Sequence, residues 1–339
     1  MPDSLTLANT RPTRLVPASS GSMELVGRSA AIGRVQELVR RSALLDSGVL
    51  IVGERGADTE SVARELHARQ RPAAAPYVVV ACGEVDVAAL DRQVFGLPPG
   101  HGPADLEPAS SGCGIAAARG GTLFLQDVVE LPAALQARLA RVVRDGEVRI
   151  DGEVAATEFR LVASAPPSID GDVREHRFRA DLYRRVAASR IDLPPLRDRL
   201  EDVPALAERL LEDLSPAAAS LPPRRFMPAA LSLLAAVNWP GNLAELRGVI
   251  ARVVAETRDE VIHIEHVLPA LRLDRATRPF VPAGSLRDAR LRFERDYIAA
   301  VLQHHAWRMA DAARTLGIQR PNLYRKARQL GIPLARANE

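Results

Sequence analysis

The chain has 339 residues, of which 47% are hydrophobic and 26% charged, enough for two or three globular domains. It has no apolar run long enough for a membrane helix and no leader-like start, so a cytoplasmic location is expected. Cys82 and Cys113 are too few for a disulfide framework, and neither the cysteines nor the seven histidines follow a metal-binding spacing. Composition therefore argues against a membrane protein, a disulfide scaffold and a metalloprotein.

Residues 1–23 are rich in Pro, Ser and Thr without periodicity, which predicts a disordered tail. Residues 24–195 then alternate helical patterns with short apolar runs. This alternation predicts a three-layer α/β core, a parallel sheet with helices on both faces. The predicted strands are 49–52, 77–82, 122–125 and 159–163, and two of the predicted helices are 31–46 and 131–144.

Helical patterns replace the strands after Leu193-Pro194-Pro195-Leu196 and predict a helical lid over residues 196–273. The expected lid helices are 203–214, 229–237 and 243–258. A stretch containing Pro and Arg, 274–285, predicts a linker. Residues 286–339 have helical patterns again and are expected to form a separate all-α domain.

The first predicted strand of the core leads into a glycine-containing loop and then a helix, the order that holds nucleotide phosphates. Gly53 and Gly56 fit this interpretation. The usual pattern, G-x-x-x-x-G-K-[ST], requires a glycine and a lysine where this chain has Asp58 and Thr59. Lys326 is the only lysine in the sequence, yet a general replacement of Lys by Arg does not explain a threonine at position 59.

Positive charge is concentrated at the C-terminal end. Residues 286–339 contain eleven Arg and Lys against five Asp and Glu, a net charge of +6, whereas the whole chain carries +3. The preceding residues therefore sum to −3. A small basic module on a faintly acidic body is typical of a nucleic-acid-binding protein.

Within this basic module, the stretch MADAARTLGIQRPNLYRKARQLGI has the pattern of a helix-turn-helix. Ala310, Ala312 and Ala313 would let the first helix approach its partner closely. Gly317 would supply a left-handed turn, and Ile318 would fill the space between the helices. The alternative interpretation is an ordinary packing hairpin with a solvated basic face.

The second helix of this motif is expected to begin near Arg320, with Pro321 in its first turn and Leu323, Ala327 and Leu330 facing inward. Arginine commonly contacts guanine and asparagine adenine, and a helix N-terminus enters the major groove. The predicted DNA-binding set is Arg320 and Asn322 for bases, Arg325, Lys326 and Arg328 for phosphates, together with Gln319.

The helical pattern at 291–304 precedes this motif and is more apolar than one short hairpin needs. Phe293, Ile298, Val301 and Leu302 predict a helix that pairs with a second copy of the chain. A two-fold dimer of this kind predicts a palindromic DNA site.

Taken in order, several motifs make the sequence resemble the sigma-54-dependent transcription activators, which combine an AAA+ ATPase with a Fis-type helix-turn-helix domain. The resemblance covers residues 24–339. It rests on LVGRSAAIGRVQELVRR, VLIVGERG, VFG, GGTLFL, FRADLYRRV, LPPLRDRLEDVPAL and WPGNLAEL, followed by the C-terminal motif.

The chain departs from this family at residues that carry chemistry. The resemblance implies a phosphate-binding GETGTGKE, a carboxylate pair in GTLFLDE, a sensing Asn and a lid arginine in WPGNVREL. Asp58 and Thr59 replace Gly and Lys, and the expected repulsion between the Asp58 carboxylate and a triphosphate is about 3 kcal/mol per phosphate charge at ~5 Å. The remaining substitutions are Gln126 and Asp127 for the carboxylate pair, Pro166 for the Asn and Ala244 for the lid arginine.

Two arginines match family positions that act on a neighbouring subunit's nucleotide, Arg179 and Arg185, although ion pairing with Asp181 or other nearby carboxylates would explain them as well. The family's GAFTGA loop, which contacts sigma-54, is replaced by Gly100-His101-Gly102-Pro103-Ala104-Asp105. Neither the Phe nor the Thr of that loop is present.

These departures predict a regulator that binds DNA in the nucleoid through its C-terminal domain, with a degenerate nucleotide site that has lost ATP hydrolysis and serves as an oligomerisation scaffold. The predicted protein is not an enzyme and needs no cofactor beyond weak, vestigial ATP binding. Two alternatives stay open. One is an ATP-dependent sigma-54 activator with atypical motifs, and the other is a non-catalytic subunit in a ring with an intact AAA+ paralogue. RNA polymerase is a further possible partner.

Overall fold

The computed structural model describes residues 14–15, 23–72, 74–83, 86–96, 106–215, 224–276, 298, 301–302, 305 and 307–330. The chain divides into two compact units, residues 1–275 and residues 276–339. Each unit is described by itself. Among the described helices, none has both the length and the apolar character needed to cross a bilayer.

The strands of the first unit are short. In chain order they are β1 (Arg14–Leu15), β2 (Val49–Val52), β3 (Tyr77–Ala81), β4 (Pro108–Ala109), β5 (Thr122–Gln126), β6 (Glu147–Ile150), β7 (Glu153–Ala156), β8 (Arg160–Ala165), β9 (Ser189–Asp192), β10 (Arg225–Phe226) and β11 (Val261–Ile262). Of these, β2, β3, β5 and β8 are mostly buried.

Within the described residues, six of these strands form the main sheet in the order β1, β3, β5, β8, β2, β9. All neighbours pair in parallel except β1, which is antiparallel to β3. The central strands β2 and β8 are buried along their whole length, as expected for parallel strands covered on both faces. Consequently, the carboxyl ends of β2, β3, β5 and β8 meet at one edge of the sheet.

The helices of the first unit cover this sheet and then form the lid. They are α1 (Ala30–Ala43), α2 (Thr59–Gln70), α3 (Val87–Val94), α4 (Gly114–Ala117), α5 (Ala133–Asp145), α6 (Ile169–Arg174), α7 (Ala180–Val186), α8 (Val203–Leu214), α9 (Pro228–Ala235), α10 (Asn242–Glu256) and α11 (Ile264–Ala276). One hydrophobic cluster lies between the sheet and α1 and α2, and a second lies on the opposite face against α3, α5 and α7. The predicted three-layer α/β fold with a helical lid is confirmed.

The lid has its own hydrophobic core, built around Trp239, which is fully buried and donates its indole N–H to the carbonyl of Leu234 at 2.9 Å. Leu206, Leu210 and Leu246 pack into the same core from α8 and α10. These residues recur at helical spacing, so each lid helix presents one apolar face inward.

A buried polar network joins the start of the core to the start of the lid. Arg199 pairs with the carboxylate of Glu24 and donates to the Glu24 carbonyl at 2.7 Å. The Asp202 carboxylate accepts from the Ser29 N–H at 2.9 Å and from the Ser29 hydroxyl at 2.6 Å. Because Glu24, Arg199 and Asp202 are each at least 98% buried, this network fixes where the lid begins.

The described part of the second unit contains two helices, α12 (Met309–Thr315) and α13 (Arg320–Gln329). Leu323 and Ala327 of α13 pack against Ala312 and Ala313 of α12, and Leu302 is buried in the same cluster. The turn between the helices contains Gly317 at φ 65°, the left-handed conformation that the sequence predicted.

Several predictions need correction. Arg14 and Leu15, within the predicted disordered tail 1–23, form β1 and pair with Val79 and Val78, while residues 1–13 and 16–22 lie outside the described part. The strand β9 was not predicted, because SRID lacks an apolar run. Residues 147–156, also unpredicted, form the hairpin of β6 and β7. Most of the predicted linker 274–285 and the predicted dimer residue Phe293 lie outside the described residues.

Candidate nucleotide pocket and DNA-binding hairpin

A cavity of about 630 Å³ opens at the carboxyl ends of β2, β3, β5 and β8. Ligands in open α/β sheets bind at this edge, beyond the carboxyl ends of the strands. The cavity brings together residues that are far apart in the sequence. Its lining consists of Gly53, Glu54, Arg55, Gly56, Ala57, Thr59, Ala81, Cys82, Gly83, Gln126, Asp127, Val129, Glu130, Ala165 and Pro166.

Residues 53–58, which we call the glycine loop, have a backbone held from both sides. The N–H of Gly53 donates to the carbonyl of Ala165 at 3.1 Å, and the carbonyl of Gly56 accepts from Ala244 at 2.9 Å. Gly56 has φ 86°, and a Cβ at this position would lie 2.1 Å from the carbonyl oxygen of Gly241. Only glycine fits this position without displacing the lid.

Asn242 connects the glycine loop to the lid, which the sequence analysis did not foresee. Its side-chain amide donates to the carbonyl of Arg55 at 3.0 Å, while its amide oxygen accepts from the N–H of Leu196 at 2.9 Å. Asn242 is buried and has φ 51°, a left-handed backbone that Asn adopts more readily than most residues. The WPGN motif was a visible signal, but its pattern alone does not place its Asn against the loop.

Asp58 does not line the cavity. Its carboxylate accepts from the N–H of Ser61 at 3.1 Å and from the Ser61 hydroxyl, so it serves as the N-cap of α2. The N–H of Asp58 itself donates to Glu24 at 2.9 Å. The predicted repulsion between this carboxylate and a bound triphosphate stays a prediction.

The substituted carboxylate pair lies at the end of β5 on the cavity wall. Asp127 is exposed and has a left-handed backbone, with φ 54°, and its N–H donates to the Ser164 hydroxyl at 3.0 Å. Gln126 precedes it, and Glu130 adds a further carboxylate to the lining. Thr59 and Pro166, two more of the substituted positions, line the cavity as well, so the structure brings these predicted site residues together.

Cys82 is a buried thiol on the same wall. Burial, and then the nearby charges of Asp127 and Glu130, raise the pKa of Cys82 to about 12. The thiol is therefore neutral at physiological pH and is not a nucleophile. Among the described residues, no group of three or more His, Cys, Asp and Glu side chains could hold a metal ion.

The two candidate trans-acting arginines differ in their surroundings. Arg179 is tied to Asp181 by two hydrogen bonds, of 3.0 and 2.7 Å, as the structural alternative predicted. Arg185 is exposed and donates to the carbonyl of Val143 at 3.2 Å. Neither arginine lines the cavity of its own chain.

In the second unit, α13 begins at Arg320, with Gln319 as its N-cap and Pro321 in the first turn. Leu323 and Ala327 face inward and have no exposed surface. Five of the predicted DNA-binding residues are exposed, namely Gln319, Arg320, Asn322, Arg325 and Arg328. The sixth, Lys326, is half-buried. One basic face of α13 is therefore available to a ligand.

Two details of this hairpin differ from the sequence analysis. Ala310 is exposed, and the buried positions of α12 are Met309, Ala312 and Ala313. Tyr324, which was not singled out, is 41% exposed on α13 and lies 5.8 Å from the Arg320 guanidinium. Its aromatic ring is a signal that sequence reasoning could have used.

Three protein-family models match this sequence in the order of its domains. They are the sigma-54 interaction domain over residues 25–192, the AAA+ ATPase lid domain over residues 197–280 and the Fis-family bacterial regulatory protein domain over residues 290–330. The fold and the hairpin therefore define an AAA+ module followed by a Fis-type helix-turn-helix.

The chain is 30% identical over 341 residues to the nitrogen assimilation regulatory protein NtrX of Azorhizobium caulinodans, covering 96% of this chain and 73% of that protein. It is 34% identical over 333 residues to the nitric oxide reductase transcription regulator NorR2 of Cupriavidus necator, of which it spans 63%. The chain belongs to the sigma-54-dependent transcriptional regulators, which confirms the resemblance seen in the sequence.

Solved structures of NtrX from Brucella abortus share the fold. The complex with ADP is 29% identical, with a TM-score of 0.62, and the match covers 91% of this chain and 69% of that one. The complex with ATP is 28% identical, with the same TM-score, and the match covers 93% and 70%.

The prediction that this chain is not an enzyme is wrong. Its family is built on an AAA+ ATPase module, and the NtrX structures contain ADP and ATP, which points to an ATPase. The prediction weighed side-chain substitutions and overlooked the backbone. The glycine loop is hydrogen-bonded to β8 and to the lid, and the Asp58 carboxylate caps α2.

Proposed function

We propose that this protein is a transcription regulator that binds specific DNA through α13 and that binds and hydrolyses ATP in the cavity at the sheet edge. The observation that carries the proposal is the glycine loop, whose backbone is locked between β8 and the lid at the mouth of this cavity. Helix N-termini attract phosphates, and α2 begins at the end of this loop, where the Asp58 cap already takes up the Ser61 N–H. The relative NorR2 is named as a transcription regulator, and NtrX as a nitrogen assimilation regulatory protein.

Hydrolysis would use the carboxylate of Asp127, directly after β5. Asp127 lies on the cavity wall, where it can orient a water molecule or a magnesium ion, both of which carboxylates favour. Because Thr59 offers no positive charge, we expect turnover to be slow. The test is phosphate release by the purified full chain, with Asp127→Asn as the matched variant. Release no faster than the buffer background, or release that is unchanged by Asp127→Asn, would refute this part.

DNA binding would use the exposed basic face of α13. Arg320 and Asn322, in its first turn, are proposed to contact bases, and Arg325 and Arg328 to contact phosphates. Lys326 and Gln319 complete the set. We propose that this DNA lies in the nucleoid and is bound by a dimer or a larger oligomer.

The first prediction separates these two kinds of contact. Arg320→Ala should weaken binding to a DNA site selected from a random pool by about 1–3 kcal/mol and should relax its sequence preference. Arg325→Ala should weaken binding to all DNA sequences by about the same factor. It should also reduce the slope of log affinity against log salt concentration by about one. Fluorescence anisotropy titrations at several salt concentrations measure both quantities. If Arg320→Ala and Arg325→Ala change the sequence preference equally, Arg320 does not make the specific base contacts.

The polymerase contact is proposed to differ from that of the family. Residues 100–105 replace the GAFTGA loop and contain neither its Phe nor its Thr. In an oligomer, Arg185 is the better candidate to reach a neighbour's nucleotide, since Arg179 is paired with Asp181. Mapping of bound DNA across the genome would show whether its sites lie at sigma-54 promoters or at promoters of another type.

A further inference from the structure

The cavity lacks the lysine with which phosphate-binding loops usually neutralise a triphosphate, because Thr59 occupies that position. The lid arginine of the family is also missing, and Ala244 stands in its place. Among the described residues that line the cavity, Arg55 alone carries a positive charge, and it belongs to the glycine loop itself.

The acidic neighbour of Arg55 is already neutralised. Glu54 accepts two hydrogen bonds from Arg197, of 2.7 and 2.6 Å, and this interaction lowers the pKa of the Glu54 carboxyl. A bidentate pair of this kind leaves Glu54 little capacity to attract a second guanidinium. In the part of the chain that the structure describes, the Arg55 side chain is exposed and makes no ion pair or hydrogen bond.

The position of Arg55 is fixed although its side chain is not. Its carbonyl accepts from Asn242 at 3.0 Å, and the next residue, Gly56, is held against the lid through Ala244. The loop therefore presents this guanidinium from a rigid backbone at the mouth of the cavity. A cation carried on a fixed backbone loses less freedom when it binds an anion than one on a mobile loop does.

We propose that Arg55 binds the terminal phosphates of ATP and takes over the charge-neutralising role of the missing lysine. Arginine presents several N–H donors in a planar fork that matches phosphate oxygens. The inference rests on the proposed function, since it concerns the same cavity. It adds a phosphate-binding residue that lies four positions before the usual lysine, at a position that the G-x-x-x-x-G-K pattern leaves unspecified.

The experiment measures the affinities of Mg·ATP, Mg·ADP and AMP for the purified full chain by isothermal titration calorimetry. The variants are Arg55→Ala, Arg55→Lys and, as a matched control, Arg119→Ala. Arg119 is an exposed arginine just before β5, at the opposite edge of the sheet from the cavity. Thermal unfolding of each variant checks that the fold is intact.

Arg55→Ala should lower the affinity for Mg·ATP by about ten- to a hundredfold, as expected for the loss of charge-assisted hydrogen bonds. It should lower the affinity for Mg·ADP less and leave AMP unchanged, because AMP lacks the terminal phosphates. Arg55→Lys should restore part of the ATP affinity, and Arg119→Ala should match the wild type.

The outcomes distinguish the two proposals. If the wild type binds Mg·ATP and Arg55→Ala binds it equally well, the role of Arg55 is refuted while the nucleotide site stands. An equal loss for ATP and AMP would also refute it, since the residue would then act on the nucleoside or on the fold. If the wild type binds none of the three nucleotides, both the ATPase proposal and this inference fail.

Discussion

The candidate nucleotide cavity and the candidate DNA-binding hairpin differ in how much of each site is formed by side chains and how much by backbone. In the hairpin, two helices bury a few small and branched side chains, and the proposed DNA-binding groups are the exposed side chains of α13. In the cavity, the glycine loop forms part of the wall, and hydrogen bonds from the lid hold its backbone in place. The comparison shows that sequence patterns locate both sites, whereas the contacts that hold the backbone of the cavity are visible only in the fold.

The two regions should therefore respond differently to substitution. A change to an exposed residue of the hairpin should alter recognition and leave the fold unchanged. A change at a glycine or an asparagine of the cavity should alter geometry, because hydrogen bonds and positive φ angles define it. Three predictions test this difference, ordered from the largest expected effect to the smallest.

The largest effect is expected at the core of the hairpin. Leu323→Ala should destabilise the second unit by about 2–5 kcal/mol, since Leu323 is fully buried between the two helices. DNA binding should be lost with it, while nucleotide binding by the first unit should persist. Thermal unfolding and DNA titration measure both. Tyr324→Ala, at the exposed neighbour, is the control and should leave stability nearly unchanged.

The second prediction concerns the backbone of the cavity. Gly56→Ala should cost about 2–4 kcal/mol of unfolding free energy, because alanine is strained at φ 86° and its Cβ would meet the carbonyl of Gly241. Gly33→Ala is the matched control, since Gly33 lies in α1 with no atom near its missing Cβ. This control should stabilise the protein by about 0.5–1 kcal/mol. Chemical denaturation of both variants makes the comparison, and equal values would show that the lid does not constrain the loop.

The smallest expected effect is a pH dependence of stability that arises from His67 in α2, the helix that follows the glycine loop. Burial lowers the pKa of His67 below its usual value of about 6.5, and its Nδ1 lies 2.9 Å from the Thr122 hydroxyl. The unfolded chain then takes up a proton before the folded one does. This contribution to stability is complete above about pH 6.5 and is lost as the pH falls towards the lower, folded-state pKa. The slope in this window is at most about 1.4 kcal/mol per pH unit.

The measurement for His67 is the free energy of unfolding at pH 7.5 and at pH 5.5. His67→Gln should show a smaller difference between the two values than the wild type, and His263→Gln, at an exposed position, is the control. Should His67→Gln keep the full pH dependence, another group must account for it.

Much of the fold followed from periodicity. The apolar runs of β2, β3, β5 and β8 and the amphipathic helices α1 and α5 were predictable, because each buries a face that its sequence pattern marks. The strand β9 was not predicted because charged residues alternate along it. The strand Arg14–Leu15 was not predicted because two residues are too few to show a pattern. Periodicity therefore identified the buried elements and missed those at the edges of the sheet.

The candidate sites were predictable to different degrees. The inward and outward faces of α13 follow from residue spacing, which is a local property. The role of Asp58 as a helix cap and the link from Asn242 to Arg55 depend on tertiary contacts. Local chemistry suggested that Asp58 would repel phosphates, but only the fold shows where its carboxylate points. The same limit explains why the prediction that this chain is not an enzyme failed.

The buried network at the start of the core has a practical consequence for anyone who dissects this protein. The match to the sigma-54 interaction domain begins at residue 25, so a fragment designed on that boundary would omit Glu24. The guanidinium of Arg199 would then be left in the interior without its counter-ion, and the N–H of Asp58 would lose its acceptor. Deleting one partner of a buried ion pair costs about 3–5 kcal/mol. An isolated AAA+ module should therefore be expressed from a start upstream of Met23.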